Sequence, residues 1–290
     1  MTTNTDNLIL ASINMCSTSD WEKNLDKAFS LVYKAKKSGA NWILLPELFT
    51  YFGAYGQLYG LSDEEGSGPI FQGLSALAKE LSICLFAGSI PERPPSGLPH
   101  EILYNGRGER RVYNTLYVFD RMGQLAGKYR KTHLFNLFDE NGQPLYAEGD
   151  GFIPGDRAVA IDLEGFRVGL SICYDLRFPE YYAKLNKDGP LDVIVLPAAF
   201  TKETGAFHWE LLLKARAIEN QCYVFAANQY GFHYEHKVSF GHSMVVDPWG
   251  TVLDNALDEE GYAIATLDRD EISKVRSRLP VLKNRRPEIY

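Results

Sequence analysis

Short apolar runs alternate with amphipathic stretches along most of the chain. Residues 8–13 read as an opening strand. Over 20–38, Trp21, Leu25, Phe29 and Val32 recur at helical spacing and Gly39 marks the stop, which predicts a helix. Residues 42–45 contain no polar position, as expected of a strand buried on both faces, and they run directly into Pro46-Glu47. A second helix is expected over 71–81 and a strand over 83–90. The Pro- and Gly-rich stretch 91–108 reads as a surface loop. Strands over 112–119 and 124–129 pair as a hairpin around Arg121-Met122-Gly123. Residues 136–155 are polar and Gly-rich and read as one long loop, functional or disordered.

The second half repeats the style. Strands are expected over 168–172, 193–196, 223–227, 243–246, 251–254 and 262–267, and helices over 179–185, 208–219 and 271–278, with a tail over 283–290. One twisted sheet does not comfortably hold so many strands, and helices recur throughout. Two sheets face to face with helices outside, a four-layer α-β-β-α sandwich, accommodates both facts. No composition shift or repeat divides the chain, so 1–290 reads as a single domain.

Composition narrows the function classes. At 290 residues, 45% hydrophobic and 23% charged, the chain can bury a large core without a disulfide or metal staple. A net charge of -7 and a pI near 5.5 argue against nucleic acid or an anionic membrane as main partner. No run of about 18 apolar residues is present. Residues 1–7 lack the basic and apolar regions of a signal peptide, so a cytoplasmic location is expected. The four cysteines, Cys16, Cys84, Cys173 and Cys222, form no CxxC pair and are expected as free thiols. Three of them read as small buried fillers. The six histidines are scattered without HExxH, so no metal or other cofactor is expected.

Cys173 is different. In Gly169-Leu170-Ser171-Ile172-Cys173-Tyr174-Asp175 an apolar strand ends at the cysteine and polar residues follow. Such a turn exposes a nucleophile and aims backbone N–H groups at a substrate oxygen, although a strand-end thiol can also be plain core. A thiol with its ordinary pKa near 8.5 needs a base or a cation to react. A histidine could serve, and so could Glu47, which leaves the end of its apolar strand, where ligands gather in α/β sheets. Lys131, ending the 124–129 strand, could stabilise a thiolate or an oxyanion. Each residue alone also fits an ordinary solvated loop position.

Together, segments 44–49, 129–135 and 171–180 resemble, in order and spacing, the three signatures of the nitrilase superfamily of carbon–nitrogen hydrolases, and the likeness runs over about 8–290. The resemblance implies the four-layer sandwich and puts the family's catalytic Glu, Lys and Cys on Glu47, Lys131 and Cys173. A second glutamate belongs in the loop after the lysine. Tyr146-Ala147-Glu148-Gly149 matches it, with Glu140 as the competing choice. Residues 173–180, Cys-Tyr-Asp-Leu-Arg-Phe-Pro-Glu, resemble the amidase branch, whereas true nitrilases typically carry Cys-Trp-Glu. Segments 221–223, 243–246 and 285–287 are most similar to deaminated-glutathione amidases, with omega-amidases, which cleave 2-oxoglutaramate, as close relatives.

The resemblance implies hydrolysis of a small linear amide of a 2-oxo dicarboxylic acid through a cysteine thioester. Glu47 would be the base, and Lys131 and the backbone N–H of Tyr174 would hold the oxyanion. Arg177 could clamp a substrate carboxylate or form an ion pair with Asp175 or Glu180. Thr204 could add a hydrogen bond. Tyr51, Phe52 and Tyr55 could wall the pocket or pack the core, and His133 reads as structural. The insertion around 94–110 departs from the family pattern, which leaves pocket shape and substrate choice open. Alternatives are an N-carbamoyl amidohydrolase, an aliphatic amidase, a nitrilase, a metal hydrolase, or a non-catalytic binding protein on the same fold. Family members pair through helices beside the nucleophile and C-terminal segments, which implies a homodimer or higher homo-oligomer through 179–185 and the tail to Tyr290.

Overall fold

The computed structural model describes residues 8–235, 237–286 and 288–289. Residues 1–7, His236, Pro287 and Tyr290 lie outside the described residues, and with them the expectations for the N-terminal segment and part of the tail.

The chain opens with β1 (Leu8–Asn14), α1 (Trp21–Lys37), β2 (Trp42–Leu44), α2 (Pro69–Leu81), β3 (Cys84–Glu92), α3 (His100–Leu103), β4 (Val112–Phe119) and β5 (Leu125–Arg130). β1, β2 and β3 run parallel, and β4 and β5 follow as an antiparallel meander, so β5 runs in the direction of β3. A small hairpin of β6 (Asn136–Phe138) and β7 (Pro144–Ala147) precedes β8 (Phe152–Ile153), which pairs with β4. The second half contains β9 (Val159–Leu163), β10 (Phe166–Leu170), α4 (Pro179–Leu185), β11 (Val193–Ala198), α5 (Lys202–Asn220) and β12 (Tyr223–Asn228). A second hairpin, β13 (Tyr230–Tyr234) and β14 (Lys237–Phe240), leads to β15 (Met244–Val246) and β16 (Val252–Asn255). β17 (Gly261–Leu267) then returns to pair antiparallel with β1, and α6 (Arg269–Arg278) follows. The two large sheets have the orders β17-β1-β2-β3-β4-β5, with β8 beside β4, and β16-β15-β12-β11-β10-β9.

Alternation along the strands builds the layers. Leu10, Trp42, Leu44 and Phe86 face the second sheet, where they join Val168, Val195 and Phe225 in one core. The Phe86 and Phe225 rings, 5.8 Å apart, bridge the sheets. Their neighbours Ala11, Ile43 and Leu85 face the other way, onto Leu31 and Val32 of α1 and Leu74 of α2. Trp209 and Leu213 of α5 and Tyr182 of α4 cover the second sheet. The expected α-β-β-α sandwich is the observed fold. It explains why β2 has no polar position, since both its faces are buried.

Several expected elements shift. The loop of 91–108 begins inside β3 and contains α3. The loop of 136–155 is largely structured, but β6 and β7 are exposed or half-exposed on both faces, so their sequence carries no apolar alternation. β9, mostly half-exposed, and the β13/β14 hairpin also escape notice, the hairpin because its buried positions His233, Lys237 and Ser239 are polar and give no apolar alternation. α5 starts at Lys202 rather than at 208, with Thr201 accepting the Thr204 N–H as N-cap. Gly205 argues against helix in the sequence. In the fold, a Cβ there would lie 2.4 Å from Phe240 Cβ, so glycine is what lets α5 press onto β14. Cys84 and Cys222 are buried as expected, whereas Cys16 is half-exposed and its Sγ approaches the Phe232 carbonyl.

Candidate active site

The strand ends determine the site. β2 delivers Glu47 three residues beyond its C-terminus, β5 delivers Lys131 directly, and β10 ends three residues before Cys173. Because these three strands point the same way, their side chains meet at one end of the sandwich. Glu148 arrives from outside the sheets, at the start of a tight turn after β7.

Cys173 opens a 3-10 turn, Cys173–Arg177, with φ of 47°. A non-glycine residue in that left-handed region costs about 1–2 kcal/mol, so the turn must be held. Asp175, fully buried, does much of the holding. Its carboxylate accepts the Ile172 N–H at 2.8 Å and the Tyr129 hydroxyl at 2.7 Å, and His133 Nδ1 lies 2.7 Å away. Since Tyr129 belongs to β5, this network ties the cysteine turn to the strand that delivers Lys131. From α5, Arg216 Nε donates to the Leu176 carbonyl at 3.0 Å. His133, stacked on Phe178 at 3.9 Å, belongs to this support, which agrees with its structural reading.

Lys131, 1% exposed, donates to Glu47 Oε1 at 2.8 Å and to both Glu148 oxygens at 2.7 Å. Glu47 is fixed further by Asn114 Nδ2 at 2.8 Å and by the Ala199 N–H at 2.9 Å. Glu148 also accepts the Phe135 N–H at 2.6 Å. Glu140, the competing glutamate, is exposed at the β6/β7 turn, away from this cluster.

The electrostatics follow from burial. Desolvation pushes the Cys173 thiol well above its ordinary range, Glu47 pushes it further, and Lys131 and the Ala199 N–H offset only part of this. For Lys131, burial works against the charge, but Glu148 and Glu47 outweigh it and hold the ammonium firmly protonated. Burial also raises Glu148; Lys131 opposes the rise and Glu47 adds to it. The resting site therefore contains a neutral thiol beside a protonated lysine, with the carboxyl groups of Glu47 and Glu148 on that lysine. A thiolate would form by passing its proton to the adjacent Glu47 rather than by free ionisation.

A cavity of ≈ 50 Å³ is lined by Glu47, Lys131, Glu148 and Cys173, with Tyr51, Phe52 and Tyr55 among its walls. A second pocket of ≈ 20 Å³ adjoins it through Phe135, Cys173 and Ala199, and there Tyr174, Arg177, Phe200 and Thr204 line the wall. The Arg177 guanidinium rests 4.9 Å from the Phe200 ring centre, and its Nη1 is 3.3 Å from His208 Nδ1. Asp175 is engaged elsewhere, which removes it as the expected ion-pair partner of Arg177. Thr204 Oγ1 meets Thr201 Oγ1 at 2.8 Å.

Asn114, Ala199, Tyr146 and Lys237 also line or brace the site and were not foreseen. Asn114-Thr115 interrupts an otherwise apolar strand, which was the available signal for Asn114. Among the described residues, no group of three or more His, Cys, Asp or Glu is placed to hold a metal ion. No described helix is long and apolar enough to cross a membrane.

Comparison with known proteins identifies the family. The chain is 36% identical over 283 residues to the deaminated glutathione amidase of Bos taurus, covering 97% of this chain and 83% of that one. It is 39% identical over 287 residues to omega-amidase NIT2 of Mus musculus, covering 97% and 96%. Among solved structures, Nit3 of Saccharomyces cerevisiae, a member of branch 10 of the nitrilase superfamily, superposes with a TM-score of 0.83 at 30% identity over 97% of both chains. The carbon-nitrogen hydrolase family matches residues 9–277, and the chain belongs to that family.

Proposed function

We propose that this protein is a thiol amidase that hydrolyses small linear amides of 2-oxo dicarboxylic acids, of the deaminated glutathione or 2-oxoglutaramate kind. One observation carries the reading. Four separate connections bring Cys173, Glu47, Lys131 and Glu148 around a single small cavity, with hydrogen bonds of 2.7–2.8 Å joining the lysine to both glutamates. The similarity to deaminated glutathione amidase and omega-amidase supports the substrate class.

In the proposed reaction Glu47 takes the Cys173 proton as sulfur attacks the amide carbonyl. Lys131 Nζ and the Tyr174 N–H receive the developing oxyanion. Glu47 then gives its proton to the departing nitrogen, and the amide C–N bond breaks, leaving a thioester. A water molecule, deprotonated by Glu47, attacks the thioester and releases the acid and the thiol. Glu148 keeps Lys131 charged and oriented. Arg177 would turn from His208 to the carboxylate beside the keto group, with Thr204 as a second donor.

The reading extends to the whole molecule. The chain would act as one domain in the cytoplasm, where its four unpaired cysteines suit a reducing environment. It would form a homodimer through α4 and α5, where Phe207 and Leu211 are 78% and 67% exposed.

The test is product release from 2-oxoglutaramate, deaminated glutathione, N-carbamoyl amino acids, short aliphatic amides and nitriles. Turnover is expected for the first two, with Cys173→Ala at least about 10³-fold slower. Full turnover by Cys173→Ala, or turnover of nitriles alone, would overturn the reading.

A further inference from the structure

Lys237 has no assigned task in the reaction above, yet it borders the same cavity as Cys173, Glu47, Lys131 and Glu148. It begins β14, opposite Tyr234 across the hairpin, and is only 8% exposed. Buried ammonium groups normally pair with a carboxylate. Among the described residues none lies within ion-pair distance of Lys237. Its surroundings are aromatic instead. Nζ is 4.3 Å from the ring centre of Tyr146, 5.4 Å from Tyr234 and 5.5 Å from Tyr55. Such contacts recover only about 0.5–2 kcal/mol each. Burial accordingly pulls the Lys237 pKa down, with Glu235 and Glu148 opposing. A cage of this kind holds a cation in place and leaves it short of an anion.

Position decides which anion. Cys173 lies where two pockets meet. Arg177 and Thr204 border one, and Lys237 borders the other. Glu47, which must protonate the departing nitrogen, borders the Lys237 pocket and not the Arg177 pocket. The acyl group therefore extends toward Arg177, and the amine departs toward Lys237. Both pockets are small, and the one beside Lys237, ≈ 50 Å³ against ≈ 20 Å³, is the larger.

We infer that Lys237 receives the carboxylate of the departing amine, so that the preferred substrate is a secondary amide joining a 2-oxo dicarboxylic acyl group to a small amino acid. This inference rests on the catalytic reading of Cys173 and Glu47. In the reaction the amide C–N bond breaks, the amino acid leaves as the free amine with the proton from Glu47, and water supplies the acyl hydroxyl. A primary amide would leave Lys237 without an anion. Lys237 thus sets specificity for the leaving group and has no part in bond making.

The test compares 2-oxoglutarate 5-amides of glycine and of its uncharged isostere glycinamide, with the primary amide 2-oxoglutaramate as the reference. Wild type is expected to favour the glycine amide over the glycinamide amide by about tenfold or more in kcat/KM, mainly through KM, the size of one charge-assisted contact. Lys237→Met should bring that ratio close to one, and Lys237→Arg should keep it. A wild-type ratio near one overturns the inference without needing a variant. So does a preference that survives in Lys237→Met, or an equal loss on all three amides, which is what a purely structural lysine would give. If wild type hydrolyses none of the three, the amidase reading itself fails; if it hydrolyses all three without preference, only the role of Lys237 does.

Discussion

Lys131 is the residue on which the charge balance turns. One ammonium serves two carboxylates with almost no water present, and removing one partner of such a buried pair commonly costs about 3–5 kcal/mol. Lys131→Met should therefore lower the unfolding free energy in urea by roughly 3 kcal/mol, and adding Glu148→Gln should restore part of the loss, because one of the stranded charges is gone. A cost below about 1 kcal/mol for the single variant would contradict this account of the cluster. Under the proposed function, Glu148 is expected to set the acid side of the pH profile. Its carboxyl is raised by burial and by Glu47, so as pH falls it takes up a proton before an ordinary glutamate does, and Lys131 loses a counter-charge. The acid limb of kcat/KM should then have its midpoint above about 4.3, the ordinary glutamate value. A midpoint at or below that value would show that Glu148 does not control it.

At the scale of elements, supporting segments place the reactive groups. The β13/β14 hairpin carries Lys237 and is pinned by His233. That ring stacks on Phe52 at 4.0 Å, donates from Nδ1 to the Ser17 carbonyl at 2.7 Å, and accepts at Nε2 from the Ser239 hydroxyl at 2.8 Å. Burial disfavours the charged ring and depresses its pKa to about 4, although the Ser17 carbonyl opposes the shift. The unfolded chain takes up this proton as pH falls through about 6.5, the folded protein only near 4, so the stability that His233 contributes is present above 6.5 and fades between the two values. Between pH 7 and pH 5 the loss should be about 2 kcal/mol in urea unfolding, and His233→Gln should lack that portion of the slope. An identical slope in the variant would sink the assignment. α5 acts in the same supporting way, with Arg216 holding the Leu176 carbonyl of the Cys173 turn.

At the scale of the whole molecule, α5 presents an apolar face to solvent. Phe207, Leu211 and Ile218 are spaced to share one helix face and are 78%, 67% and 46% exposed. A homodimer through this face would bury them, with α4 beside them. Light scattering should give twice the chain mass for wild type and the single-chain mass for Phe207→Glu combined with Leu211→Glu, with an unchanged circular dichroism spectrum. A dimer that persists in the double variant would move the interface elsewhere.

The sequence by itself determined the layer order and pointed to most residues of the candidate site. Period-two and period-3.6 patterns survive wherever one face of an element meets the core, so β2, α1, α2, β4 and α4 were readable nearly to the residue. Glu47, Lys131 and Cys173 were legible because each follows a strand end inside a recognisable segment. The small hairpins were not, since β6 and β7 are exposed or half-exposed on both faces and the buried positions of β13 and β14 are polar, so neither carries an apolar period. Glu148 and Glu140 are told apart only in the tertiary structure, where Glu148 is buried beside Lys131 and Glu140 is exposed. Asn114 behind Glu47, the Asp175 anchor and the caged Lys237 likewise emerge only there. These residues owe their roles to groups dozens of positions away, and a charge without a partner becomes visible only when every element that could supply one is in place.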